Sequence, residues 1–146
     1  MNNDLVSYGH AQIRIWVHIF FKTKYAHNVF DLKVFRDSCK DMMQEIMAVN
    51  KIECDTIGFD SNHFHAIIDL ARWPVNSLVK VLKGTSGKKL LEKFPAIKKK
   101  FFWGSGLWSG TKYVYSVGRD KQAIEQYVSK QKYFKITKNQ TSLLDF

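Results

Sequence analysis

The chain has 146 residues, of which 45% are hydrophobic, and this predicts one folded domain over residues 1–146. Its formal net charge of +10 at pH 7 predicts a polyanionic partner, with nucleic acid as the leading candidate. No run approaches the roughly 20 apolar residues of a membrane span, and the first ten residues lack a signal-peptide pattern. Cys39 and Cys54 form neither a disulfide framework nor a zinc motif, so we expect a cytoplasmic protein. The alternative to a polyanionic partner is a protein that is basic without having such a partner.

The first half of the chain predicts a strand, a helix and two more strands. Residues 12–22 alternate, with a mixed face of Gln12, Arg14, Trp16, His18 and Phe20 and a core face of Ile13, Ile15, Val17, Ile19 and Phe21. Residues 31–50 have helical spacing, with Asp31 as candidate N-cap and an apolar stripe of Leu32, Phe35, Cys39, Met42, Met43 and Ile46. Two strands follow, at residues 52–60 and 63–70.

The second half predicts two helices around a fourth strand. The first helix begins after Pro74 and is expected to break within residues 83–89, which contain two glycines. Residues 95–106 predict a basic, aromatic, glycine-rich loop, and residues 107–118 predict a strand. Residues 120–134 predict the last helix, and the tail, counted from about residue 132 to 146, has no assigned structure.

This order of elements predicts an α+β fold. Strand, helix, strand, strand, helix and strand form the ferredoxin-like βαββαβ arrangement, which RNA-recognition (RRM) domains share. A helix is added at the C-terminal end. The helices of such a fold cover one face of an antiparallel sheet and leave the other face open. Because many functions use this fold, the fold alone decides nothing about function.

Two histidines stand one residue apart in the third predicted strand, "HFHAIIDL". Since side chains alternate along a strand, His63 and His65 share a face, roughly 7 Å apart at Cα. The opposite face is wholly apolar and is the core face, with Phe64, Ala66, Ile68 and Leu70. Two imidazoles on the open face can converge on one divalent cation. Two exposed or hydrogen-bonded histidines are the plainer interpretation.

A metal site needs ligands beyond two imidazoles. Asp69 shares their face, but it lies four strand residues from His65, roughly 13 Å, too far for one ion. The last predicted helix places Tyr127 and Gln131 on one face, one turn apart. Taken alone, Tyr127 is expected to be a core tyrosine of an amphipathic helix and Gln131 a solvent-exposed side chain.

Together these features resemble a known family. The motif His63-Phe64-His65, followed some 60 residues later by Tyr127 and Gln131 in "QYVSKQ", is similar to that of the single-tyrosine HUH transposases. These are TnpA-type enzymes of small bacterial and archaeal insertion sequences, and they include the REP-associated tyrosine transposases. The stretches "HIFFKTKY", "VLKGTSGKKLLEKFP" and "FFWGSGLWSGTKYVYSVG" also resemble the family, so the resemblance spans residues 12–131.

The resemblance implies a metal-dependent DNA strand transferase and endonuclease. Tyr127 would be the catalytic nucleophile, and His63, His65 and Gln131 would hold a divalent metal, Mg²⁺ or Mn²⁺. The enzyme would cleave and rejoin single-stranded DNA at hairpin-flanked element ends through a covalent 5′-phosphotyrosine. It would act as a homodimer, with the tyrosine helix completing either its own site or its partner's.

The basic side chains have a place in this hypothesis. Lysines are expected to contact phosphates with salt-sensitive affinity. The candidates are Lys22, Lys24, Lys80, Lys83, Lys88, Lys89, Lys98, Lys99 and Lys100. Trp103 and Trp108 are candidates for stacking on exposed bases. The alternative is that the lysines are solvated and the tryptophans belong to a core or a dimer interface.

Two other functions stay open. A non-enzymatic RRM-like nucleic-acid-binding domain would have the same topology. Such domains need stacking aromatics on their central strands, where this chain has His63 and His65, and that disfavours this alternative. A domesticated HUH endonuclease would keep the same residues and cut DNA without mobilising an element.

Overall fold

A computed structural model describes residues 1–117 and the strand Tyr133–Ile136. The strands of this part are β1 (Val6–Tyr8), β2 (Ala11–Ile13), β3 (Trp16–Lys22), β4 (Cys54–Asp60), β5 (His63–Asp69), β6 (Tyr113–Ser116) and β7 (Tyr133–Ile136). The helices are α1 (Lys33–Val49), α2 (Val75–Lys93) and α3 (Pro95–Phe101). No helix in these residues is long and apolar enough to span a membrane.

The main sheet has the strand order β6-β3-β5-β4-β7, and every neighbouring pair is antiparallel. The strands β3, β4, β5 and β6 of this sheet, with α1 and α2, follow one another along the chain in the order β3-α1-β4-β5-α2-β6. This arrangement confirms the predicted ferredoxin-like fold class. The strands β1 and β2 form a separate two-stranded hairpin.

The hydrophobic core lies between the sheet and the two long helices. The alternation of β5 puts Phe64, Ala66 and Ile68 into this core, each fully buried, as predicted. The stripe of α1 and the apolar side of α2 meet them with Phe35, Cys39, Met43, Ile46, Leu78 and Leu82. Burying this apolar surface is what holds the helices against one face of the sheet.

The predicted strand over residues 12–22 is wrong in its length, because the chain forms two strands, β2 and β3. Asp69 explains the interruption between them. Its carboxylate accepts hydrogen bonds from the Ile15 amide at 2.9 Å and from Arg14 Nη1 at 3.0 Å. Ile15 is 48% exposed and does not belong to the core face, whereas Val17, Ile19 and Phe21 do.

The N-terminal cap predicted for α1 is also wrong. The helix begins at Lys33, and Asp31 instead belongs to a 3-10 turn, Val29–Asp31, where its carboxylate accepts a hydrogen bond from Ser61 Oγ at 2.8 Å. The turn buries Val29 and Phe30, so the chain reaches the core before the helix starts. Leu32, which the sequence pattern placed in the apolar stripe, is 48% exposed and does not belong to the buried stripe.

The break predicted in the second helix does not occur, since α2 runs through both Gly84 and Gly87. Of the two glycines, Gly87 faces Trp108, whereas Gly84 has open space around it. A Cβ at Gly87 would lie 3.4 Å from Cδ1 of Trp108, whose Nε1 donates to Ser86 Oγ at 3.0 Å. Trp108 therefore packs on the core, which favours the structural alternative for this residue over base stacking.

The region after α2 departs from its predicted loop and strand. Residues 95–101 form the helix α3, for which Pro95 at the first turn is favourable because its missing N–H is not needed there. Strand β6 is only Tyr113–Ser116, and Trp108 contributes an isolated bridge to Thr23. Loop carbonyls in between accept hydrogen bonds from Lys83, so this stretch is held to α2.

Most of the predicted last helix, with Tyr127 and Gln131, lies outside the described residues. Its predicted end at residue 134 is wrong, because Tyr133–Ile136 is the strand β7, paired with β4. Without β7, β4 would be an edge strand with unpaired backbone N–H and C=O groups, and β7 pairs with these groups.

The open face of the sheet is divided into two halves. On one half, Met1 and Trp16 pack over Ile67 and Val117, and Trp16 Nε1 donates to the Asn2 carbonyl at 2.8 Å. The other half carries the histidines of β5. The N-terminal segment thus covers the apolar half of the face and leaves the histidine half as the place for a functional site.

Candidate active site on the open sheet face

His63 and His65 lie next to each other on the face of β5 that the helices do not cover. Their ring centroids are 5.3 Å apart and their planes differ by 29°. This is the shared face that the strand alternation predicts. The arrangement presents two imidazoles to one region of space, which is the first requirement for a shared metal ion.

The two histidines differ in burial. His65 is 2% exposed, and burial, with the neighbouring His18 and His63, lowers its pKa to about 3. The pKa of the half-buried His63 is lowered as well, by burial and then by the positive charge of Lys22, against the opposing effect of Asp60. Both rings are therefore neutral near pH 7, the state in which histidine binds metals.

A third histidine, which the sequence pattern did not assign to the site, lies beside this pair. We call His18, His63 and His65 the histidine cluster. His18 on β3 is 2% exposed, and its Nε2 lies 3.2 Å from Nδ1 of His65. The two rings stack at 5.3 Å. Burial lowers the pKa of His18 to about 4. The alternation of "WVHIFFK" could have indicated His18 as a site residue, because pairing β3 with β5 brings the mixed face of β3 beside the His63–His65 pair.

Aromatic rings continue the cluster towards the edge of the sheet. Phe20 stacks on His65 at 5.1 Å and on Tyr113 at 4.5 Å. Tyr115 lies 6.0 Å from Phe20 and is 52% exposed, while Tyr113 is 36% exposed. We call Phe20, Tyr113 and Tyr115 the aromatic row. It places flat, partly exposed rings directly beside the histidines.

Asp69 has a structural role away from the cluster. Its carboxylate is 7% exposed and accepts hydrogen bonds from Arg14 and from the amides of Ile15 and Ala71. Arg14 also pairs with Glu53. These contacts agree with the distance argument that removed Asp69 from the metal site.

A complete ligand set is not present among the described residues, where no group of three or more His, Cys, Asp or Glu side chains is placed to hold a metal ion. The third predicted ligand, Gln131, and the predicted nucleophile, Tyr127, lie outside those residues. The described part of the site is therefore the histidine cluster and the aromatic row, and the roles of Tyr127 and Gln131 stay predictions.

The predicted DNA-binding side chains have different surroundings. Lys80, Lys88 and Lys89 on α2 are exposed, as are Lys98, Lys99 and Lys100 on α3. Lys22, which pairs opposite His63, and Lys24 are partly buried. Trp103, just after α3, is 80% exposed. Lys83 differs from the others, because its Nζ donates to the carbonyls of Ser109 at 2.8 Å and Thr111 at 3.1 Å. The ammonium of Lys83 therefore already has two hydrogen-bond acceptors within the protein.

Comparisons with known proteins identify the family of this chain. The signature of the family described as "Transposase IS200 like" matches residues 11–131. The ISDra2 transposase TnpA of Deinococcus radiodurans is 29% identical over 116 residues, covering 78% of this chain and 81% of that protein. A solved crystal structure of a transposase candidate from Deinococcus radiodurans R1 superposes with a TM-score of 0.69 at 27% identity, covering 86% of this chain and 96% of the other. The chain belongs to the IS200-like transposases.

Proposed function

We propose that this transposase cleaves and rejoins single-stranded DNA at the hairpin-flanked ends of an insertion sequence. The observation that carries the proposal is the pair His63 and His65, held neutral on an open sheet face beside the aromatic row. The net charge of +10 favours a nucleic acid as the ligand of this face.

The residues present fit a divalent metal. His63 and His65 offer two neutral imidazoles, and Nδ1 of His63 is buried with no hydrogen-bond partner among the described residues. In the proposal, Gln131 adds an amide oxygen and water fills the remaining positions. This mixed nitrogen and oxygen set is open and rich in hard ligands, which suits Mg²⁺ or Mn²⁺ better than a closed zinc site. Such an ion, when bound, would neutralise charge on the non-bridging oxygens of the scissile phosphate.

Tyr127 is the proposed nucleophile. Its phenolic O–H gives up its proton to water as the phenolic oxygen forms a bond to phosphorus, the bond from phosphorus to the 3′-oxygen breaks, and that oxygen takes up a proton from water and leaves as a 3′-hydroxyl. The product is a 5′-phosphotyrosine. Because a phenol has a pKa near 10, tyrosine is a better leaving group than an alcohol, and a second DNA 3′-hydroxyl can displace it to rejoin the strands. Joining therefore needs no separate energy source.

The aromatic row and the lysines would bind the strand. Every base has a π-face, so Tyr113 and Tyr115 can stack on unpaired bases without reading their sequence. The exposed lysines of α2 and α3 would contact phosphates, and Trp103 adds another exposed ring near the lysines of α3.

The test is the formation of a protein–DNA adduct. Radiolabelled single-stranded DNA carrying a hairpin is incubated with the protein in Mg²⁺ or in EDTA and separated on a denaturing gel. The expected adduct requires Mg²⁺, is lost in Tyr127→Phe and persists in the control Tyr133→Phe. An adduct that survives Tyr127→Phe and disappears in Tyr133→Phe would reassign the nucleophile.

Sharing of the site between two copies can be tested with the same gel. His63→Ala and Tyr127→Phe are each inactive in the proposal. If the tyrosine helix completes the partner's site, mixed dimers of the two variants contain one intact site and form the adduct. If each subunit uses its own tyrosine, the mixture stays inactive.

A non-enzymatic binding domain is the second candidate, and the aromatic row is the observation that favours it. RRM-like domains stack bases on aromatic side chains of the same sheet face. Tight binding of the hairpin DNA with no adduct, under any metal tested, would support this candidate over the transposition chemistry. A domesticated endonuclease would instead give the adduct but no joined product.

A further inference from the structure

The contact between His18 and His65 is specific in its atoms. Nε2 of His18 and Nδ1 of His65 are 3.2 Å apart, a hydrogen-bond distance, and both side chains are 2% exposed. The two residues are 47 positions apart in sequence and meet only because β3 pairs with β5. Neighbouring rings hold His18 in place, with Phe20 at 5.8 Å and Tyr115 at 6.3 Å.

Two neutral imidazoles in this contact share one proton, which leaves two arrangements. If His18 donates, His65 carries its proton on Nε2, and that nitrogen has no lone pair for a metal. If His65 donates from Nδ1, its Nε2 keeps the lone pair. The direction of the hydrogen bond between His18 and His65 thus decides whether His65 can bind a metal through Nε2.

We propose that His18 is a positioning residue that accepts the Nδ1–H of His65 and thereby holds His65 in the tautomer with Nε2 available for the metal. The inference rests on the proposed metal role of His65. Histidine ligands commonly donate their other ring N–H to a fixed acceptor, which orients the ring and raises its basicity. In this chain a second histidine on the adjacent strand provides that acceptor. His18 itself then carries its proton on Nδ1.

The alternative is that His18 only fills space beneath the aromatic row. His18→Phe separates the two roles, since it keeps a flat ring of similar size and removes both nitrogens. His18→Gln is the rescue variant, because its side-chain carbonyl can accept the Nδ1–H of His65. Thermal unfolding followed by circular dichroism identifies any variant that does not fold.

The first measurement reads the tautomer in the metal-free, full-length protein. With ¹⁵N-labelled histidine, long-range ¹H–¹⁵N correlation spectra distinguish a protonated ring nitrogen from one with a lone pair. We expect His65 to be protonated on Nδ1 and bare on Nε2. The opposite assignment in the wild-type protein would overturn the inference, whether or not the variants fold.

The second measurement is the binding of Mn²⁺, followed by the electron paramagnetic resonance signal of the free ion. We expect affinity to fall by about 10-fold to 100-fold in His18→Phe and to recover in His18→Gln. Equal affinity of wild type and His18→Phe would overturn the role of His18 while leaving the metal site intact. If the wild-type protein does not bind Mn²⁺, the proposed metal site itself fails, and the role of His18 with it.

Discussion

The ring of Phe20 stacks on the ring of His65, with centroids 5.1 Å apart and planes inclined by 23°. Phe20 also stacks on Tyr113, so the histidine cluster and the aromatic row form one continuous surface. A nucleotide base lying on the row would bring its phosphate close to His63 and His65. This continuity connects strand binding to the proposed chemistry.

Replacing the most exposed ring of the row tests this connection. Tyr115→Ala should weaken binding of unstructured single-stranded DNA by about 1–3 kcal/mol, because it removes one stacking partner. Tyr115→Phe keeps the ring and should bind like the wild type. Fluorescence anisotropy with a labelled oligonucleotide at fixed salt measures both. Equal binding by all three proteins would remove Tyr115 from the DNA-binding surface.

The lysines of α3 should act through charge alone. Replacing Lys98, Lys99 and Lys100 with alanine should make DNA binding less dependent on salt. In a plot of the logarithm of the binding constant against the logarithm of the salt concentration, the slope should become shallower by about 0.7 for each phosphate that a lysine no longer neutralises. The measurement is Kd over a series of KCl concentrations. An unchanged slope would mean that these lysines do not bind phosphates.

Lys83 is the matched contrast to the α3 lysines, since its ammonium already binds the carbonyls of Ser109 and Thr111. Lys83→Met should lower the free energy of unfolding and leave the salt slope nearly unchanged. Urea titration gives the first quantity and the KCl series the second. A large change in slope without loss of stability would return Lys83 to the DNA-binding set.

The metal-free protein should become less stable as the pH falls from 6.5 towards 4. Burial lowers the pKa of His18 to about 4 and that of His65 to about 3, against an ordinary value near 6.5. In this window the unfolded chain binds protons that the folded chain excludes, so stability rises with pH and is fully present above 6.5.

The loss is at most about 1.4 kcal/mol per pH unit for each histidine. Urea titrations in EDTA at several pH values measure it, and His18→Phe should show a shallower dependence because one of the histidines with a lowered pKa is gone. A steeper dependence in that variant would contradict the assignment of the effect to His18.

The two glycines of α2 should respond differently to the same substitution. A Cβ at Gly87 lies 3.4 Å from Trp108, so Gly87→Val should overpack this contact and destabilise the protein by about 1–3 kcal/mol. Gly84 has open space around it, and Gly84→Val should be neutral or slightly stabilising because valine favours a helix more than glycine does. Thermal unfolding compares them. Equal effects would mean that Trp108 does not restrict position 87.

Local sequence pattern determined much of this architecture. The alternation of β5 assigned Phe64, Ala66 and Ile68 to the core and turned His63 and His65 to the opposite face, because a strand has a period of two. The order of strands and helices predicted the ferredoxin-like fold. Both inferences depend on neighbours in the chain, which is the information that a single sequence contains.

Contacts between distant segments decided the rest. Asp31 does not cap α1, because Ser61 binds its carboxylate, and α2 continues through its glycines while Trp108 packs on one of them. The histidine cluster depends on the register of β3 against β5, which places His18 next to His65 across 47 residues of chain. Alternation assigns a residue to a face of its own strand, but it does not say which residue of another strand lies beside it. The pairing of the strands alone supplies that neighbour.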